Sequence, residues 1–352
     1  MGSKRVIYLG GLPIGGNNPI SVQSMLRSSL DNLKNCIDES IRLLEAGCEV
    51  IRVALVSEAQ LSNLVRLKRE INAPLVADTH FRPSLASKAL LGGADGVRIN
   101  PGNMRDKEAL KELARIARDE NKVVRVGVNL GSLPENVREF YKDDALAMVN
   151  VAMETIRLLE EEGCENIKVS LKASDVLTTI RAYELASTIV EYPLHLGITE
   201  AGPVFEGSIK SAVGLGILLY KGIGDTIRVS LTGDALKEVE VAYEILRALG
   251  LRKRGIDIIS CPRCGRCEID IERIVDEIKS KAKGLRKNLK IAIMGCVVNG
   301  PGEAKDADIG IAGGKGKGVI FKKGKIVEIV KESELVNRFL KLLKEVDSGE
   351  DE

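Results

Sequence analysis

Four of the seven cysteines occur in two short segments near the end of the chain. The first segment is Cys261-Pro262-Arg263-Cys264-Gly265-Arg266-Cys267, and the second is Gly295-Cys296. One carboxylate, that of Glu303, follows the second segment. Thiolates at this spacing can converge on a single metal centre, and such sets bind iron–sulfur clusters or zinc. The sequence therefore predicts a redox or Lewis-acid site in the C-terminal part of the chain.

Spacing alone leaves the identity of the metal open. Cys261, Cys264 and Cys267 match the C-x2-C-x2-C run of bacterial ferredoxins, and Cys296 is then the fourth ligand. A zinc ion bound by four thiolates satisfies the same ligand count. Glycines and prolines around both segments permit tight turns with backbone N–H groups near sulfur, which suits either metal centre.

A second set of reactive side chains lies in the first part of the chain, on short apolar runs that read as strands. Its cations are Arg52, Arg98, Arg125, Lys168, Lys172 and Arg228. Few acids offset them, and the two candidates are Asp78 and Glu200. Because guanidinium groups match phosphate oxygens in a bidentate manner, the sequence predicts a phosphate or diphosphate ligand.

The elements that position these residues alternate between strand and helix patterns. The predicted strands are residues 20–25, 50–55, 75–79, 96–100, 123–129, 167–172, 194–199 and 226–231. Such alternation implies parallel βαβ units, and eight units are the number in a (β/α)8 barrel. A doubly wound open sheet is the alternative. The glycines of residues 10–16 precede a strand instead of following one, so they do not form the dinucleotide-binding fingerprint.

The C-terminal ends of barrel strands build the active site of this fold. Further polar residues on these strands are Gln23, His80, Asn100, Asn129, Ser170, His195, Thr199 and Ser230. His80 follows a strand end beside Asp78 and is predicted to be functional, whereas His195 lies early in its strand and is predicted to be structural. Glu200 is a candidate to orient a hydroxyl group or to pass a proton.

Bulk composition restricts the class of protein. The chain has 352 residues, 44% of them hydrophobic and 29% charged, and a net charge of +2. We expect no nucleic-acid partner from this charge and no membrane span from the short apolar runs. The other cysteines are predicted to be buried thiols of a reducing cytosol, so we expect a cytoplasmic protein. The predicted divisions are a barrel over residues 1–250, a linker over 251–255 and a small α+β domain over 256–352.

The chain resembles the family of 4-hydroxy-3-methylbut-2-enyl diphosphate synthases over nearly its whole length, in the two-domain bacterial form. The resemblance is carried by both cysteine segments and by residues 13–25, 76–81, 98–103, 126–133, 170–175, 195–202 and 222–230. It implies a (β/α)8 TIM barrel followed by a small α+β reductase-like domain that holds a [4Fe–4S] cluster. It also implies a head-to-tail homodimer and flavodoxin or ferredoxin as the electron donor.

The same resemblance implies a reaction and roles for individual residues. The reaction is the reductive ring opening and dehydration of 2-C-methyl-D-erythritol 2,4-cyclodiphosphate to the hydroxymethylbutenyl diphosphate. The implied cluster ligands are Cys261, Cys264, Cys296 and a replaceable Glu303. The implied substrate-binding residues are Arg52, Asp78, His80, Arg98, Asn100, Arg125, Asn129, Lys172, Arg228 and Ser230. Glu200 is implied as the acid/base or orienting carboxylate of the barrel.

Two features depart from the family pattern. Family members commonly carry another residue at the position of Cys267, so we expect that this cysteine is not a ligand, in contrast to the spacing argument. Four thiolates close a cluster, whereas three thiolates and a carboxylate leave one iron open to exchange. The Thr-rich turn that usually follows Met25 is replaced here by Leu26-Arg27-Ser28-Ser29-Leu30.

Two other functions compete with the reductive enzyme. One is a non-redox barrel enzyme that acts on a phosphorylated or pterin-like substrate and carries a structural zinc. The other is an electron carrier or cluster scaffold without enzymatic activity. The cationic strand ends argue against a carrier, because a carrier has no use for a diphosphate pocket.

Overall fold

A computed structural model describes residues 2–80, 82–103, 106–282, 287–296 and 304–348. The chain forms two compact units, Met1–Arg252 and Lys253–Glu352. Arg252, which lies in the predicted linker, is bound to the first unit. Its Nη1 donates to the Ile20 carbonyl at 2.7 Å, and its Nη2 lies 3.2 Å from Glu49 Oε1.

The first unit begins with a hairpin that the sequence patterns do not predict. Its strands, β1 (Val6–Leu9) and β2 (Leu12–Gly15), pair antiparallel. Three of its side chains, Ile7, Leu9 and Ile14, form an apolar cluster with residues at the start of three barrel strands, Val50, Val76 and Val123. The hairpin therefore closes the N-terminal end of the barrel with apolar surface. The sequence does not predict this hairpin because each strand has only four residues and Gly10 and Gly11 separate the two, so no alternating pattern is clear.

Eight parallel strands follow and form the barrel. They are β3 (Ser21–Met25), β4 (Val50–Ala54), β5 (Leu75–His80), β6 (Gly96–Ile99), β7 (Val123–Asn129), β8 (Ile167–Lys172), β9 (His195–Leu196) and β10 (Thr226–Ile227). The sheet runs in the order β8-β7-β6-β5-β4-β3-β10-β9, and a parallel bridge between Val169 and Leu194 joins its two ends. The predicted (β/α)8 fold is confirmed.

Helices alternate with these strands. They are α1 (Leu33–Glu45), α2 (Leu61–Glu70), α3 (Pro83–Leu91), α4 (Lys107–Asp119), α5 (Glu135–Tyr141), α6 (Asp144–Glu161), α7 (Val176–Ile189), α8 (Val204–Tyr220) and α9 (Ala235–Ala248). Aspartates 106, 143, 175 and 234 cap helices α4, α6, α7 and α9 by accepting a bond from a backbone N–H of the first turn. These caps fix where each helix begins, and hence the length of the loops at the barrel mouth.

Strands β9 and β10 are shorter than the predicted strands at residues 194–199 and 226–231. The chain beyond them still makes single backbone bonds to its neighbours. Arg228 N–H donates to the Leu196 carbonyl at 3.0 Å, and Thr199 N–H donates to the Ala173 carbonyl at 3.1 Å. The regular ladder therefore ends early, while the strand direction continues into the mouth.

Alternation along the strands separates an apolar outside from a charged inside. On β8, Ile167, Val169 and Leu171 belong to the apolar cluster beneath the helices, so Lys168 and Lys172 point toward the barrel axis. The other strands repeat this arrangement with Arg52, Asp78, Arg98, Arg125, His195 and Arg228. Barrel interiors are usually filled by Val, Ile and Leu, so this interior is adapted to a polar ligand.

The described part of the second unit comprises a five-stranded mixed sheet and two helices. Its elements are β11 (Ile256–Ser260), α10 (Ile271–Lys281), β12 (Leu289–Met294), β13 (Ile309–Gly314), β14 (Lys317–Lys322), β15 (Lys325–Lys331) and α11 (Glu332–Ser348). Strands β11, β12 and β13 are parallel, and β14 and β15 continue the sheet antiparallel. Both helices share one apolar cluster with the sheet, which confirms the predicted α+β domain. In the described part of the chain, no helix is long and apolar enough to cross a membrane.

Candidate functional site

A buried carboxylate lies at the centre of the barrel mouth. Asp78 is fully buried and accepts a bond from Arg52 Nε at 3.0 Å, and Arg52 Nη2 contacts the same oxygen. Arg98 Nη1 lies 3.6 Å from the other carboxylate oxygen. The three residues lie on the adjacent strands β4, β5 and β6, and Asp78 is opposite Arg98 in the ladder. The parallel register therefore brings together three of the predicted site residues.

The charge balance around Asp78 is strongly positive. Burial by itself would raise the pKa of Asp78, but the guanidinium groups of Arg52, Arg98 and Arg125 hold it well below its usual value. Burial lowers the pKa of Arg125 and Lys172 well below their ordinary values, and neighbouring cations lower both further. These shifts mark an excess of cations that a bound anion would relieve.

Arg228 is held by a carboxylate that the sequence patterns did not reveal. Its Nη2 lies 3.4 Å from Glu238 Oε2, and Arg27 Nη2 lies 3.0 Å from Glu238 Oε1. Burial lowers the pKa of Arg228 to about 10, against the attraction of Glu238. Glu238 is buried on the inner face of α9 beside Val239 and Ala242. An acid on the apolar face of a helix is the sequence signal that could have identified it.

The turn after Met25 is also fixed by acids. Backbone N–H groups of Arg27 and Ser28 donate to Glu39 on α1 at 2.9 and 3.0 Å. The Arg27 guanidinium donates to the Leu231 carbonyl at 2.7 Å. This turn, which departs from the family pattern, is therefore tied to the loop that follows β10.

Two candidate residues have left-handed backbone conformations, His80 at the end of β5 and Glu200 four residues after β9. His80 has a φ of 50° and Glu200 has a φ of 52°, and both side chains are exposed. The β5–β6 ladder shifts by one residue between Asp78 and His80, so the bulge directs these two side chains differently. Non-glycine residues rarely adopt this conformation, and it is concentrated at functional sites.

Of the remaining amide and hydroxyl candidates, Asn100 follows β6, Asn129 ends β7 and Ser230 follows β10. Asn100 Nδ2 donates to Ser132 Oγ at 2.8 Å, and Ser132 Oγ donates to the Asn129 carbonyl at 2.7 Å. Ser230 is half-buried two positions after Arg228. The structure thus brings the loops that carry Asn100 and Asn129 into direct contact.

Below the mouth lies a second polar layer with few partners. Side-chain atoms buried there without a hydrogen-bond partner among the described residues are Gln23 Oε1 and Nε2, Arg125 Nε and Nη1, Lys168 Nζ, and His195 Nδ1 and Nε2. Burial and the nearby Arg125 lower the pKa of Lys168 to about 7. Burial, Lys172 and Arg125 hold the pKa of His195 well below its ordinary value. Because buried polar atoms normally have partners, this layer is equipped for water or a polar ligand.

A separate cavity of about 220 Å³ lies in the second unit. The predicted ligands Cys261, Cys264 and Cys296 line it, together with Arg263, Arg266 and Met294. Gly295 N–H donates to Cys261 Sγ at 3.3 Å, which is the kind of bond that tunes a metal-bound thiolate. The backbone N–H and the charge of Arg266 lower the pKa of Cys264, which favours its thiolate.

Cys267 has different surroundings from the three cysteines of the cavity. It is not among the residues that line the cavity, and its Sγ donates to the Ile269 carbonyl at 3.2 Å. Glu303, the predicted fourth ligand, lies outside the described residues. Across the described ranges, no group of three or more His, Cys, Asp or Glu side chains is arranged to hold a metal ion. The three cysteines therefore line one cavity without forming a completed ligand set.

The fold and these two sites define a barrel protein with a cationic interior, followed by an α+β unit with clustered cysteines. The chain belongs to the GcpE family. The model of the GcpE TIM-barrel domain matches residues 4–243, and the model of the GcpE protein C-terminal domain matches residues 257–345. The resemblance seen in the sequence motifs is confirmed.

Relatives with assigned names are similar over almost the whole chain. A 4-hydroxy-3-methylbut-2-en-1-yl diphosphate synthase (flavodoxin) of Caldanaerobacter subterraneus is 52% identical over 96% of this chain and 95% of its own. The protein of the same name from Thermodesulfovibrio yellowstonii is 50% identical over 96% of this chain and 97% of its own.

Among solved structures, dihydropteroate synthases share the barrel. The Yersinia pestis enzyme in complex with a sulfonamide drug has a TM-score of 0.52 and 17% identity, and it covers 70% of this chain and 100% of its own. The Burkholderia cenocepacia enzyme with 7,8-dihydropteroate has a TM-score of 0.52 and 16% identity, covering 72% and 100%. At this level of identity the likeness supports the barrel fold alone, and it does not favour a pterin-like substrate.

Proposed function

We propose that this chain is an oxidoreductase that converts 2-C-methyl-D-erythritol 2,4-cyclodiphosphate to (E)-4-hydroxy-3-methylbut-2-enyl diphosphate in non-mevalonate isoprenoid biosynthesis. The observation that carries the proposal is the cationic barrel interior, in a chain whose named relatives are diphosphate synthases. The conversion consumes two electrons and two protons and releases one water. It therefore requires an anion-binding pocket, a source of electrons and a group that handles protons.

The barrel residues bind the diphosphate in this proposal. Arg52, Arg98, Arg125, Lys172 and Arg228 supply the charge, and Asn100, Asn129, Ser230, Asp78 and His80 surround them. Asp78 supports the role of Arg52 and Arg98, because its carboxylate holds both guanidinium groups in place before the ligand arrives. Preorganised cations in a buried site interact with an anion more strongly than cations in water do.

We assign the transfer of protons to the exposed carboxylate of Glu200, which follows β9, the seventh barrel strand. Glu200 orients a substrate hydroxyl or donates a proton to the departing oxygen, which leaves as water. Its left-handed backbone at the strand end supports this role. His80, with the same backbone feature, is positioned at the bulge of β5 beside Asp78 to contact the substrate.

The second unit would hold a [4Fe–4S] cluster, which would supply single-electron reduction. Cys261, Cys264 and Cys296 are its proposed ligands, with Glu303 as the replaceable fourth. The shared cavity and the Gly295 N–H bond to Cys261 support this set. The proposed division into a barrel over 1–250, a linker over 251–255 and a cluster domain over 256–352 assigns one function to each unit.

A flavodoxin or ferredoxin is the proposed electron donor, since the named relatives are flavodoxin-dependent. The reducing environment that such a cluster and the buried free thiols need supports a cytoplasmic location.

A homodimer, head-to-tail as in the family, is also proposed. Helix α8 carries an exposed apolar stripe at helical spacing, Phe205, Ile209, Val213 and Ile217, with Tyr220 at its end. Exposed contiguous apolar surface of this kind marks protein interfaces. Sedimentation of Ile209→Glu tests whether this face of α8 forms the dimer interface. We expect the parent protein to be dimeric and the variant to dissociate.

Anaerobic turnover tests the proposal. Purified protein with reconstituted iron and sulfide is mixed with the cyclic diphosphate and reduced flavodoxin, and the linear diphosphate is measured by mass spectrometry. The expected result is brown protein that forms product, and loss of product in Glu200→Gln. Colourless protein that contains zinc and forms no product would support the non-redox alternative instead.

A further inference from the structure

Two glycines of the barrel wall lie against cationic side chains of the proposed diphosphate site. Gly127 is on β7, and Gly197 directly follows β9. Neither has the positive φ that favours glycine, so another residue could adopt the same backbone. The reason for glycine at these positions must therefore be space.

A Cβ atom added at Gly127 would lie 2.7 Å from Arg98 Nε and 3.1 Å from Ser170 Oγ. Contacts this close do not occur in real structures, so the guanidinium group would have to move. Arg98 Nη2 donates to the Gly127 carbonyl at 2.9 Å, and Arg98 Nη1 is 3.6 Å from Asp78. The Arg98 guanidinium therefore lies beside the β7 backbone, in the space that a side chain at Gly127 would fill.

Gly197 stands in the same relation to Lys172. A Cβ atom there would overlap the Lys172 ammonium and lie 2.7 Å from the Arg228 carbonyl. Barrel interiors are normally filled in layers by large side chains from alternate strands. Here the missing side chains leave space in the wall, and the side chains of Arg98 and Lys172 occupy it.

We propose that Gly127 and Gly197 are positioning residues that hold Arg98 and Lys172 against the barrel wall, so that the axis stays open for the diphosphate. This inference rests on the proposed function, since it assigns the held cations to a diphosphate ligand. The glycines contact no ligand themselves and act through the two cations. Gly127 gives the sharper test, because its close neighbours are side-chain atoms only, whereas Gly197 also adjoins backbone.

The test is the affinity of the full-length protein for the cyclic diphosphate, measured by calorimetry. Gly127→Ala is expected to weaken binding about tenfold or more, as loss of a charge-assisted hydrogen bond does. The matched control is Gly216→Ala on α8, where an added Cβ has no atom within 4 Å, and its affinity should equal that of the parent. Circular dichroism melting checks that each variant is folded.

A double-mutant cycle separates positioning from a general structural effect. In an Arg98→Gln background there is no guanidinium to displace, so Gly127→Ala should then change affinity by less than about twofold. An equal loss in both backgrounds would overturn the proposal, as would unchanged affinity in the single variant. Gly197→Ala with and without Lys172→Met repeats the cycle at the second site. A parent protein that binds no cyclic diphosphate would instead refute the proposed function on which the inference rests.

Discussion

The barrel interior and the cysteine segment place their functional groups in opposite ways. In the barrel, Asp78, Arg52 and Arg98 are buried and held by one another and by strand register. In the second unit, Cys264 is exposed, and the described residues contain no completed metal-ligand group. Contacts between neighbouring strands therefore hold the charged groups of the barrel in place, whereas Cys264 lies on an exposed loop.

The largest effect on turnover is expected at the cysteines of the second unit. Cys264→Ser is expected to abolish turnover, because an exposed loop thiolate has no substitute once it is removed. Iron content and the thiolate-to-iron absorbance should fall with it, while calorimetric binding of the cyclic diphosphate stays at the parent level. A variant that keeps full iron and activity would show that Cys264 is not a ligand.

Loss of the buried Asp78 carboxylate should lower the stability of the barrel strongly. Asp78→Asn leaves two buried guanidinium groups without their carboxylate, so the free energy of unfolding should fall by about 3–5 kcal/mol. Urea denaturation followed by circular dichroism measures the change. The exposed Asp38 on α1 provides a matched acid-to-amide control, Asp38→Asn, with an expected change within about 0.5 kcal/mol. Equal effects of the two substitutions would contradict a preassembled site.

Burial of Lys168 should make the unfolding free energy of the protein depend on pH. Its pKa in the folded protein is about 7 because of burial and Arg125, below that of an unfolded lysine. Between these two values the unfolded chain binds more protons, so the unfolding free energy should rise with pH by at most about 1.4 kcal/mol per unit. Below pH 7 lysine is charged in both states, and the slope vanishes.

Lys168→Met isolates this contribution, since the difference between parent and variant cancels the other titrating groups. Denaturation midpoints from pH 7 to 10 should rise for the parent relative to the variant. A flat difference across this range would mean that Lys168 stays charged in the folded protein.

The smallest effect is expected at Cys267. Because its thiol donates to the Ile269 carbonyl and does not line the cavity, Cys267→Ala should retain iron and turnover close to the parent. The unfolding free energy should fall by about 1 kcal/mol for the lost packing. Loss of the iron signal would restore the four-cysteine arrangement that the spacing first suggested.

Strand periodicity and the polar strand ends were sufficient to predict the barrel and the cations of its mouth. They were sufficient because parallel strands bring their C-terminal ends together whatever the loops do. The carboxylate of Glu238 and the roles of Gly127 and Gly197 depend on contacts between strands or with a helix far apart in the chain. Spacing along a loop does not say which way each thiol turns, so it does not decide between Cys267 and Glu303 as the fourth ligand.

We expect the barrel cations to bind the cyclic diphosphate whether or not the second unit holds a metal. Calorimetry of metal-free protein with the cyclic diphosphate tests it directly, with iron-loaded protein as the comparison. The account predicts that the metal-free protein binds the ligand but forms no product, and that Arg98→Gln weakens this binding. Binding that is absent until iron is added would contradict it.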